Sequence, residues 1–99
     1  MREDKLYRIL GIDSKQDDCL AQIGRMFNSA GIWVMSKSPD RTLYQAIDGG
    51  RVARELDALT DKGLFTVSGE RKMKIYEPTH TFVKVWRKYQ TLKENANQS

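Results

Sequence analysis

The sequence predicts an α+β fold: a helical body carrying a small antiparallel sheet, as one domain spanning residues 1–99. Three observations predict it. Helical apolar periodicity recurs in several segments, most of them ended by glycine. The stretch Leu64-Phe65-Thr66-Val67, turn Ser68-Gly69-Glu70-Arg71, Met73-Lys74-Ile75-Tyr76 reads as a hairpin that Pro78 ends. The hydrophobic fraction, 39%, is ordinary for a folded chain and too high for disorder.

Taken in order, Met1 to Leu10 places Leu6, Ile9 and Leu10 on one side, with Glu3 and Asp4 early and Gly11 as a stop. This predicts a short amphipathic helix. Ser14 followed by Asp17 resembles a weak capping box, and a helix is expected from about Gln16 to Ser29. Its buried stripe would be Cys19, Leu20, Ile23, Met26, Phe27 and Ala30. Cys19, at helical spacing among apolar residues, reads as a small core residue and not a nucleophile. Gly31 breaks the helix, and Ile32-Trp33-Val34-Met35 reads as a brief strand able to complete a sheet with the hairpin.

Ser38 as cap and Pro39 at the first helical position predict a helix over 39–47, with Leu43, Tyr44 and Ile47 inward. Asp48-Gly49-Gly50 is then a turn. The next helix, Arg51 to Lys62, carries Val52, Leu56 and Leu59 as its apolar face, and Gly63 supplies the left-handed stop. The C-terminal segment is ambiguous. Thr81 to Trp86 alternates like a strand, yet Phe82, Val85, Trp86, Tyr89 and Leu92 follow a helical stripe, and a helix over 81–94 is favoured, with 95–99 frayed.

Charge is segregated along the chain. Residues 1–63 balance ten Lys/Arg against ten Asp/Glu, whereas residues 64–99 hold seven Lys/Arg against three Glu. The whole net charge of +4 lies in the hairpin and tail, which suggests a polyanionic partner. Expected absences follow from what the chain lacks. No apolar run approaches the ~20 residues of a membrane span, and the single cysteine fits a reducing, cytoplasmic setting. No phosphate loop, metal-ligand pair or Ser/His/Asp grouping appears, so neither enzyme activity nor a cofactor or metal is expected, and His80 reads as a cap or an exposed residue.

Helix, short strand, helix, glycine turn, helix and basic hairpin resemble the winged helix-turn-helix superfamily over residues 16–78, most closely in Val52-Ala53-Arg54-Glu55-Leu56-Asp57-Ala58-Leu59-Thr60-Asp61-Lys62-Gly63-Leu64-Phe65. The resemblance implies a small transcriptional regulator that binds double-stranded DNA and is nucleoid-associated. Arg41 would face phosphate, and Arg51, Arg54 and Glu55 would enter the major groove. Arg71, Lys72 and Lys74 on the wing would meet the backbone or minor groove. Glu55, Asp57 and Asp61 make this helix slightly acidic, which a DNA backbone would repel, so the contacts would come chiefly from Arg51 and Arg54. Such regulators commonly pair about a two-fold axis, so Phe82, Val85, Trp86, Tyr89 and Leu92 are expected as a homodimer interface. The competing arrangement folds that stripe back on Leu6, Ile9 and Leu10. The same fold also serves protein–protein adaptors and subunits of larger assemblies, or single-strand and RNA binders stacking bases on Tyr76, Trp86 or Trp33. The sequence names no small-molecule effector.

Overall fold

A computed structural model describes residues 1–32, 43–69 and 72–97. It is an α+β structure of four helices and one three-stranded antiparallel sheet. The order is α1 (Glu3–Leu10), α2 (Cys19–Ser29), β1 (Tyr44–Ile47), α3 (Arg51–Asp61), β2 (Phe65–Ser68), β3 (Met73–Pro78) and α4 (His80–Asn97).

α1 ends as its glycine predicts. Gly11 sits at φ 72°, the left-handed region that costs a side chain its Cβ clearance. α2 begins later than expected, at Cys19. The Asp13 carboxylate, not Ser14, makes the local turn by accepting from the Lys15 N–H at 3.0 Å. Cys19 is buried, and its thiol faces the carbonyls of Gln16 and Asp13 at 3.1 and 3.3 Å, which ties the connecting loop to the helix. Ile23, Phe27 and Ala30 share that buried side, with Leu20 and Met26 at its margins.

The segment 44–47 departs from expectation: it is a strand and not the end of a helix. Tyr44 and Ala46 are buried while Gln45 and Ile47 are exposed, the period of two that a half-covered sheet imposes. The cause is non-local. β1 pairs antiparallel with β3, Tyr44 opposite Tyr76 and Ile47 opposite Met73, and β3 also pairs with β2, giving the order β1-β3-β2. The third strand of the sheet is thus 44–47. The expected strand over 32–35 lies outside the described residues except for Ile32, which is buried and non-strand. The expected cap at Ser38, helix start at Pro39 and contact at Arg41 also lie outside them.

α3 ends one residue before the expected Lys62, which is its C-cap, and its buried face is turned by one position. Ala53, Leu56 and Leu59 are inside, while Val52 is exposed. Its exit is a Schellman-type cap: the Leu64 N–H reaches the Leu59 carbonyl at 3.1 Å and the Gly63 N–H the Thr60 carbonyl at 2.9 Å. His80 is the exposed first residue of α4, and the cap is Thr79 just before it. The Thr79 hydroxyl accepts from the Phe82 N–H at 3.3 Å and donates to the Gly63 carbonyl at 2.7 Å, joining the end of α3 to the start of α4. α4 continues to Asn97, beyond the expected end at Glu94.

The core is an aromatic chain crossing these elements. Tyr44 meets Phe65 edge-on at 5.4 Å, Phe65 meets Phe82 at 4.8 Å, and Phe82 meets Phe27 at 6.0 Å. Phe27 also contacts Trp86 and Tyr89, each at 5.7 Å between ring centroids. Gly24 lets the two helices approach, because a Cβ there would lie 3.2 Å from the Tyr89 hydroxyl. The stripe expected as a dimer interface is therefore core. Phe82, Val85, Trp86 and Tyr89 are buried within the single chain and Leu92 is partly so, because α1, α2 and β3 already cover that face. The folded-back arrangement on α1 is the one observed, and the stripe offers nothing to a second copy. Burial of Tyr76 and Trp86 likewise removes both from any base-stacking role, while Trp33 lies outside the described residues.

Phe82→Ala is expected to cost about 3–5 kcal/mol, read by denaturant unfolding, because it opens a cavity at the junction of α2, α4 and β2. Truncation after Pro78 should abolish the cooperative thermal transition. A truncated chain that stays folded would show that α4 is not part of the core.

Candidate nucleic-acid interface

The start of α3 and the tip of the β2–β3 hairpin are drawn together by the sheet register. Ile47 and Met73 are partners at the end of the β1–β3 ladder, and one step further the Asp48 N–H donates to the Lys72 carbonyl at 2.7 Å. The glycine turn 48–50 is thereby bonded to the hairpin tip. Gly49 adopts φ 82°, and the Gly50 N–H closes the turn on the Ile47 carbonyl at 3.0 Å. At the hairpin, Gly69 has φ 105° and a Cβ there would stand 2.6 Å from the Met73 carbonyl oxygen, so only glycine fits.

α3 leaves this turn with an unusual N-terminus. Gly50 is its N-cap and brings no side-chain acceptor, and its first turn contains no acid. Arg51 stands there instead, with Arg54 one turn on, both exposed and neither in an ion pair with a described residue. Cations at the positive end of a helix dipole are locally unfavourable, and an arriving anion reverses that sign. Glu55 is half-buried next to them, and Lys72 is exposed on the hairpin. Arg71 and Arg41 lie outside the described residues.

Lys74 is placed differently from the wing role expected of it. Its ammonium lies 3.3 Å from the Asp57 carboxylate on α3 and 3.4 Å from that of Asp48. The hydrogen bond to Asp57, followed by the attraction of both acids, raises the Lys74 pKa and holds it charged. Asp57 also accepts from the Tyr76 hydroxyl at 2.6 Å, and the Ala53 carbonyl lies 3.3 Å from the same oxygen. Tyr76 is fully buried, so this group is a polar fastener between α3 and β3. Burial first, and the bond to Asp57 second, push its phenol well above the usual ~10. The sequence reading missed this fastener. Its signal was an acid on the helix and an alternating Lys-x-Tyr on the strand, legible only once the helix–strand register is known.

Chemically the arrangement offers exposed cations without carboxylate partners among the described residues, together with helix N–H groups. Among the described residues no three His, Cys, Asp or Glu side chains are grouped to hold a metal, and no helix is long and apolar enough to cross a membrane. No family model, curated protein or solved structure matches this chain.

Asp57→Ala leaves the buried Tyr76 hydroxyl with a single weak acceptor and is expected to cost about 1–3 kcal/mol in denaturant unfolding, more than Tyr76→Phe, which removes donor and need together. Alkaline pH tests the same fastener. Tyr76, Tyr7 and Tyr89 all have raised folded-state pKa values, chiefly from burial. A raised folded value stabilises fully below the unfolded pKa of ~10 and is lost as pH rises beyond it. Phenolate absorbance of these three should therefore appear together with loss of circular dichroism, and not before it.

Proposed function

We propose that the chain is a winged-helix-type protein that binds duplex DNA through the start of α3 and the adjoining hairpin, in the manner of a small transcriptional regulator. The observation that carries this reading is the Asp48–Lys72 backbone bond, which sets the hairpin tip beside an uncapped helix start bearing Arg51 and Arg54. Support also comes from topology: α3 runs directly into an antiparallel hairpin whose returning strand takes the centre of the sheet. The glycine turn joins a strand, not a helix, to α3. The reading thus rests on α3 and the hairpin, not on a two-helix motif.

The acidic character of α3 is compatible with it. Asp57 is neutralised by Lys74 and engaged by Tyr76. That leaves Arg51 and Arg54 to present donors, with Glu55 available to accept from a cytosine amino group. Lys72 would meet phosphate, and Lys74 serves the fold instead of the ligand.

A second reading, a protein-binding adaptor, is favoured by one observation: Ile47 and Met73 are cross-strand partners left 65% and 43% exposed on the open sheet face. Titration separates the two. Binding to mixed duplex DNA should be weak, on the order of 10⁻⁴ to 10⁻⁶ M near physiological salt, and should tighten steeply as salt falls. Arg54→Ala should cost about 1–3 kcal/mol on a preferred site and relax discrimination there, whereas Lys72→Ala should weaken all sequences alike. Absence of binding at low salt would transfer the case to the adaptor.

A further inference from the structure

With Lys74 engaged by Asp48 and Asp57, much of the positive excess of the C-terminal third resides on α4. Lys84, Arg87 and Lys88 stand three and four residues apart. At about 100° per residue they occupy the side of α4 opposite Phe82, Val85, Trp86 and Tyr89. Lys84 and Arg87 are exposed and Lys88 is half-buried. Together with Met1 and Thr91 they line a shallow groove of about 240 Å³. The Thr91 hydroxyl is turned onto the helix, donating to the Arg87 carbonyl at 3.0 Å, so the cations dominate the groove.

None of the three is in an ion pair with a described residue, whereas Arg8, Arg25 and Lys74 each have a carboxylate partner. The one acid on α4, Glu94, stands six residues or more from all of them. Three like charges on adjacent turns repel one another and gain from an anion laid across them.

We propose that this outer face of α4 is a second phosphate-binding surface that takes the backbone of duplex DNA, separate from the start of α3 and the hairpin. The ligand follows from extent and surroundings. From Lys84 to Thr91 the face runs about 10 Å along the helix, room for about two successive phosphates of one strand, whose spacing through space exceeds their ~3.4 Å axial rise. A lipid surface fits poorly, because a membrane-lying helix needs its apolar face free and that of α4 is buried in the core. The inference shares its partner, DNA, with the function proposed above but rests on different residues.

The test uses the full chain and fluorescence anisotropy on a mixed-sequence duplex across a salt series. It compares wild type, Lys84→Gln/Arg87→Gln/Lys88→Gln, and Arg51→Gln/Arg54→Gln. Glutamine keeps helix propensity, and an unchanged thermal midpoint checks the fold. The α4 variant is expected to weaken binding to every sequence and to flatten the slope of log affinity against log salt by about two to three units. The charge-conserving exchange Lys84→Arg/Arg87→Lys/Lys88→Arg should restore the slope. A wild-type slope in the glutamine variant overturns the inference and leaves the α3 reading intact. Loss confined to the α4 variant, with Arg51→Gln/Arg54→Gln binding normally, upholds the inference and removes the α3 reading. A wild-type chain that binds no duplex even at low salt overturns both.

Discussion

Phe27 holds the molecule together by standing where two helices and the sheet would otherwise part. Its ring contacts Phe82, Trp86 and Tyr89 from α4, and through Phe82 the cluster continues to Phe65 and Tyr44 in the sheet. Edge-to-face and tilted pairs of this kind add about 0.5–1.5 kcal/mol each beyond the area they bury. In a domain of this size, whose total stability is of the order of 5–15 kcal/mol, such a cluster is a large share. It also decides what α4 is. The same three side chains of α4 cannot both close this core and face a second copy, and the core has them.

With α4 committed inward, the sheet is covered on one face and open on the other. Tyr44, Ala46, Phe65 and Tyr76 point into the body, while Gln45, Ile47, Met73 and Glu77 face out. α3 is pinned to the covered face by Leu56 and Leu59 and by the bond from Tyr76 to Asp57. An apolar contact alone would let a helix of this length shift by a residue. The buried phenol permits one register, because its hydroxyl needs an acceptor there. That register places Arg51 and Arg54 at the glycine turn beside the hairpin tip, so a structural fastener and the proposed DNA-facing surface are mechanically linked.

Electrostatics divide in the same way. Cations that the fold uses, such as Lys74, are paired with carboxylates across elements. Arg51, Arg54, Lys72, Lys84, Arg87 and Lys88 have no carboxylate partner among the described residues, and they divide between the α3–hairpin region and α4. Segregation of charge along the chain therefore understates the arrangement. The N-terminal two thirds is neutral in sum, yet it contributes the two arginines of the α3 surface.

Much of the α+β fold was legible in local chemistry. Gly11 and Gly63 marked helix ends because a left-handed residue favours glycine, the 3.6-residue stripes marked α1, α2 and α4, and turn residues framed the hairpin. Three features were decided elsewhere. Tyr44 to Ile47 satisfies a helical spacing as well as an alternating one, and only pairing with β3, about thirty residues away, selects the strand. Val52 and Ala53 both fit the stripe with Leu56, and the small Ala53 is inside because the Tyr76 hydroxyl approaches its carbonyl. The stripe on α4 was visible in sequence, but whether it meets its own chain or another depends on what α1, α2 and β3 leave uncovered. Periodicity says which side of an element is apolar, since it reflects the geometry of one segment; what that side touches is set by segments distant in the chain, and only the tertiary structure brings them together.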